Sequence, residues 1–106
     1  MPSTALATPM NLHDIVSKLE EFPEATFICA RRPWTRASEA RLIPFPDDLR
    51  IPESVKAEGF EYFLEVSTAL EVLEGFLDRG PTPDQVTDFI IYYAENDAFP
   101  EWSLSI

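Results

Sequence analysis

One cysteine, one histidine and three scattered glycines leave this chain of 106 residues few routes to chemistry. A lone Cys29 excludes an intramolecular disulfide. Its place in the apolar run Phe27-Ile28-Cys29-Ala30 reads as a small buried hydrophobe. One Cys and one His cannot build a structural zinc site. Gly59, Gly75 and Gly80 stand apart, so no phosphate-cradling loop exists. A calcium loop needs dense ligands around a turn glycine, and that is missing too. No run approaches the ~20 apolar residues of a membrane span. Residues 1 to 10 lack the basic start and apolar stretch of a signal peptide, so a cytoplasmic location is expected. His13 and Cys29 make up the one nucleophile–base pair that residue types allow, and neither lies in an activating motif. Carboxylates are so abundant that no pair of them is informative. Neither catalysis nor a cofactor or metal is expected.

Bases are scarce as well. Eight Lys and Arg face 19 acids, for a net charge of −11. Such an excess opposes binding to DNA, RNA or an anionic membrane, because phosphate recognition runs on Lys and Arg. It favours a basic protein partner met by fast, salt-sensitive association. The alternative is that the acidity serves solubility alone.

What is present argues for a packed globule: 45% of residues are hydrophobic and 12% aromatic, while ten prolines punctuate the connections. Residues 1 to 10 are Ser/Thr/Ala/Pro-rich and read as loose. Asn11 caps a first helix, Asp14 suits its first turn, and Leu12, Ile15, Val16 and Leu19 recur at helical spacing up to Pro23. Thr26 to Ala30 and Ala40 to Ile43 read as strands flanking a basic loop, residues 31 to 37. Two prolines break the chain at 44 to 48, and a helical turn can follow Pro52. Glu61 to Val66 alternates imperfectly and is the third strand. Ser67 is expected to cap a second helix that ends before Gly80-Pro81. Thr82, Pro83 and Gln85 form a capping box for a last helix running to about Asn96. The expected fold class is α+β, with a small three-stranded antiparallel sheet packed against three helices in the order α-β-β-β-α-α. It forms one domain over residues 11 to 106.

The placement of charge is uneven. Residues 57 to 106 hold eleven acids against the single base Arg79, a net of −10, whereas the first 56 residues are nearly balanced. Glu71, Glu74 and Asp78 fall at i, i+3 and i+7 of the second helix, one acidic stripe opposite its apolar face. Asp84, Asp88 and Glu95 share a face of the last helix, with no lysines interleaved. That helix is also too apolar for one buried face: Ile91, Tyr92 and Ala94 widen the arc set by Val86, Phe89, Ile90 and Tyr93. Either it is buried on more than one side, or Tyr92 and Ile91 belong to an interface, a homodimer included. Trp34, among Arg31, Arg32 and Arg36, and Trp102 are candidate aromatic anchors, although Trp34 can equally stack on an arginine and do nothing else. The candidate partner-binding set is therefore Glu71, Glu74, Asp78, Asp84, Asp88, Tyr92, Glu95, Asp97 and Trp34. The acidic faces can equally be solvated surfaces.

The run Phe89-Ile90-Ile91-Tyr92-Tyr93-Ala94-Glu95-Asn96-Asp97-Ala98-Phe99 resembles the "YYxENDAF" ending of a family of small acidic bacterial proteins of unassigned function. Trp34-Thr35, Pro46-Asp47-Asp48 and Val55-Lys56-Ala57-Glu58 resemble earlier parts of the same family. This chain departs from that ending by continuing through Pro100-Glu101-Trp102 to Ile106. In size and acidity the family is similar to immunity proteins that neutralise toxins in bacterial competition. The resemblance thus implies an inhibitor of a basic toxin, plausible targets being nucleases. A nucleic-acid mimic that inhibits a DNA-binding enzyme is a second expectation, and a small enzyme using Cys29 and His13 a third. The motif has a structural reading beside the functional one: Asn96-Asp97 can form a turn after the helix, and Phe99 can fold back onto the core.

Overall fold

The computed structural model describes residues 10 to 105. Of the loose segment read at the N-terminus, residues 1 to 9 lie outside the described residues. Met10 does not belong to it, because Met10–Asn11 forms a short strand, β1. Helix α1 (Leu12–Ser17) follows at once. Asn11 caps it as expected, through a capping box in which Asn11 Oδ1 accepts from the Asp14 N–H at 2.8 Å. A 3₁₀ turn (Leu19–Glu21) ends the segment before Pro23.

Strands β2 (Thr26–Arg31) and β3 (Glu39–Pro44) form a hairpin closed by the basic loop. Helix α2 (Glu53–Ala57) realises the helical turn read after Pro52. Strand β4 (Phe60–Glu65) then runs directly into α3 (Val66–Leu77), and α4 is Pro83–Asn96. A last 3₁₀ turn spans Glu101–Ser105. The α+β class stands, but the sheet has four strands in the order β1-β3-β2-β4, all antiparallel, and there are four α-helices among the described residues. The extra strand is two residues long, too short for a period-2 pattern to register.

β2 lies inside the sheet and is buried on both faces, which is why its sequence is a continuous apolar run rather than an alternating one. Ile28 and Ala30 join the larger core, with Leu12 and Ile15 of α1, Leu73 and Phe76 of α3, and Phe89 and Ile90 of α4. Phe27 and Cys29 join a smaller core on the opposite face, with Val55 of α2, Phe60, Phe45 and Ile51. The imperfect alternation of β4 has a specific cause. Ile28 pairs with Leu64 and Cys29 with Tyr62, so Phe63 is an extra residue in a β-bulge. The bulge lets Phe63 and Leu64 both enter the larger core.

Ser67 is not the cap of α3. The helix starts one residue earlier, at the fully buried Val66, and its N-cap Glu65 makes no side-chain capping bond. The Ser67 N–H instead donates to the Glu24 carbonyl at 3.3 Å, so a neighbouring loop satisfies a donor that a cap would have served. Thr82 caps α4 as expected, with reciprocal bonds to Gln85 of 3.2 and 2.9 Å.

Candidate functional site

The nine candidate residues separate into two surfaces on either side of α4. The first is a groove between the β2–β3 loop and α4, lined by Trp34, Arg36, Asp88, Tyr92, Glu95 and Trp102. Its chemistry is largely consumed within the chain. Arg36 binds both oxygens of Asp88, at 2.9 and 2.8 Å, and reaches Asp84 at 3.4 Å. Asp88 accordingly holds the Arg36 guanidinium above its ordinary value, chiefly through these hydrogen bonds. Arg32 pairs with Glu61 at 3.0 Å and lies 4.0 Å from Glu95. The lysines that seemed missing from α4 are supplied across the groove by two arginines of the basic loop.

Trp34 forms the floor of this groove and does not project from it. It is 7% exposed, its ring meets Phe63 edge-to-face at 4.9 Å, and its Nε1–H donates to the Ala30 carbonyl at 3.3 Å. The Arg32 guanidinium covers the ring at 3.8 Å, the stacking that its arginine-rich setting suggested. Ile91 is buried in the larger core, so most of the wide apolar arc of α4 reflects burial on more than one side. Tyr92, 40% exposed, remains at the rim.

The second surface lies on α3 and the C-terminal segment. Glu71, Glu74 and Asp78 are exposed there, as are Asp97 and Glu101, and none of the five forms an ion pair among the described residues. Arg79, the one base of this half, is turned to the C-terminal turn, where its Nη1 donates to the Ser103 carbonyl at 3.0 Å. Between the acids runs a groove of about 400 Å³ lined by Glu71, Val72, Glu74, Gly75, Phe99 and Leu104. Phe99 and Leu104 are 57% and 74% exposed. Phe99 is nonetheless held in place: Asp97 adopts the left-handed conformation at the end of α4 (φ 53°), its N–H donating to the Tyr93 carbonyl at 2.8 Å. That turn returns Phe99 to stack on Phe89, ring centroids 5.5 Å apart, and beside Tyr93 at 5.7 Å. The Asn96-Asp97…Phe99 part of the terminal motif therefore builds one wall of the groove.

Sequence reasoning missed Phe99 and Leu104 as surface features, because an apolar residue near a terminus carries no mark of whether the core has room for it. It also placed Asp84, Asp88 and Glu95 with the free acids, because nothing local to α4 shows where the loop arginines go. Cys29 and His13 are not brought together. Cys29 sits in the smaller core beneath α2, whereas His13 lies on the other side of the sheet, its Nδ1 hydrogen-bonded to Thr87 Oγ1 of α4 at 2.8 Å. Burial pushes the Cys29 thiol up to about 11, so it is protonated and unreactive near neutrality. No group of three or more His, Cys, Asp or Glu side chains is arranged to hold a metal ion among the described residues. Among them, no helix is long and apolar enough to cross a membrane.

A family model described as a domain of unknown function (DUF7716) matches residues 9–102. No curated protein and no solved structure matches the chain.

Proposed function

The chain belongs to the family described as a domain of unknown function (DUF7716), and from its surface we propose that it is a non-catalytic acidic inhibitor. It would work in the cytoplasm as an immunity-type protein, binding a basic protein toxin and covering its active site. A nuclease is the type of target whose cationic substrate cleft would best complement such a surface. One observation carries the proposal: Arg36 pairs with Asp84 and Asp88 of α4 and Arg32 approaches its Glu95, whereas among the described residues no cation pairs with the acids of α3. Glu71, Glu74 and Asp78 repel one another at spacings of three and four residues, a standing cost of a few tenths of a kcal/mol per pair with no return inside the free protein. A cationic surface would relieve it. Unpaired carboxylates would steer the encounter, and the exposed faces of Phe99 and Leu104 beside them would supply apolar area that is desolvated on docking. A nucleic-acid mimic finds less support, since the free acids of α3 form one short stripe rather than a long phosphate-like array.

The test is affinity capture from the source cells with the tagged protein at low and high salt, run beside a Glu71→Lys/Glu74→Lys double variant. A basic protein held by the parent chain, released at high salt and bound at least about tenfold more weakly by the variant is expected. Capture that is indifferent to both salt and charge reversal would sink the proposal.

A further inference from the structure

The α3 groove contains a residue that nothing inside the chain explains. Gly75 lies in the last turn of α3, followed in the helix only by Phe76 and Leu77, where glycine still weakens a helix relative to alanine, though less than at its centre. It is exposed, and a Cβ placed on it would meet no atom within 4 Å. Internal packing therefore does not require its smallness. Gly75 faces into the groove, with Glu71 one turn before it, Glu74 beside it, and Phe99 and Leu104 on the opposite wall. The missing side chain deepens the groove at the centre of the free acidic stripe. A bare helix backbone at that point admits close approach by a second main chain.

Resting on the acidic-inhibitor reading, we infer that the partner segment received here is a basic amphipathic helix laid along α3, with its closest approach at Gly75. The groove follows α3 from Glu71 to Phe76, about 8 Å at the rise of an α-helix, and continues to Arg79 just past the helix end, roughly two turns of a partner helix in all. Lysines or arginines spaced three and four residues apart on that helix meet Glu71, Glu74 and Asp78. The apolar residues between them pack on Val72, Phe99 and Leu104. Phe99 is prepared for this role, since Phe89 and Tyr93 hold its ring from within while its outer side stays open. A second copy of this chain is opposed by its like charge, and a partner strand would find no sheet edge at this place.

The experiment uses the full chain and two synthetic peptides of about 14 residues with identical composition, one with lysine and leucine on opposite helical stripes and one scrambled. Calorimetry reads affinity, and circular dichroism reads peptide helicity. The ordered peptide is expected to bind roughly tenfold more tightly than the scrambled one and to become helical on binding. Gly75→Leu is expected to remove that advantage. Gly75→Ala raises the thermal midpoint of the free protein, by roughly 3–6 °C, while weakening the ordered peptide, which separates a contact from a folding defect. Equal binding of the two peptides overturns the helix assignment, as does an unaffected Gly75→Leu variant or binding of neither peptide. The acidic-inhibitor reading then stands or falls separately, on the charge-reversal capture.

Discussion

At the scale of single residues, burial and exposure decide more than residue type. Cys29 is the clearest case. Its apolar neighbours in sequence already indicated a buried thiol, and the structure encloses it completely in the smaller core. Burial favours the neutral thiol and raises its pKa from 9.0 to about 11. The unfolded chain therefore ionises first as pH rises, so stability from the neutral thiol is complete below pH 9 and is lost as pH climbs through about 11. Urea unfolding at about pH 8 and about pH 10.5 should show a larger loss for the parent protein than for Cys29→Ala. Tyr62 is raised too, mainly by its own burial and then by Glu65; Cys29 adds a smaller part, so the Tyr62 contribution cancels in the comparison except for that part, which the substitution also removes. Trp34 was legible only halfway. The arginines around it pointed to stacking, yet only the fold shows it enclosed by Phe63 and Arg32 rather than offered to a partner.

At the scale of elements, local signals succeeded wherever the stabilising group lay within three or four residues. The Asn11 cap and the Thr82–Gln85 capping box are announced by short spacings, and both are present; Asp14, expected only as an acid in the first turn, also completes a box with Asn11. Ser67 failed because the helix begins before it, at Val66, and the Ser67 N–H, itself one of the free donors of the first turn, is satisfied by the Glu24 carbonyl, more than forty residues earlier. Urea denaturation should therefore distinguish two similar-looking substitutions. Thr82→Ala is expected to lose about 1 kcal/mol, whereas Ser67→Ala should stay within about 0.5 kcal/mol of the parent. A comparable loss for Ser67→Ala would show that its hydroxyl has a capping role after all. The bulge at Phe63 had a faint trace in sequence, an alternation broken at one position, but its register needed the partner strand β2.

At the scale of the whole molecule the governing quantity is charge, and its total says less than its pairing. The net −11 was plain from composition. Most of the in-chain ion pairs join exposed side chains, and such pairs stabilise little. The unpaired acids of α3 and the C-terminal segment repel across distances comparable to the Debye length, about 10 Å at 0.1 M salt. Salt should then act in opposite directions on the two states. Moving from about 20 mM to about 300 mM salt should raise the urea midpoint of the free protein while weakening its complex with a basic partner. A free protein that is destabilised by salt would mean that attractive pairs outweigh the repulsion. The α+β class, the caps of two helix N-termini, the buried thiol and the acidic stripe of α3 were all legible in the sequence, because each depends on neighbours close along the chain or on composition. Only the tertiary structure decided which acids remain free. The arginine that pairs with Asp84 and Asp88 comes from a loop some fifty residues earlier, and the apolar wall at Phe99 exists because α4 ends in a left-handed turn against α3. Pairing across such separations is set by how the elements pack, and no local pattern encodes it.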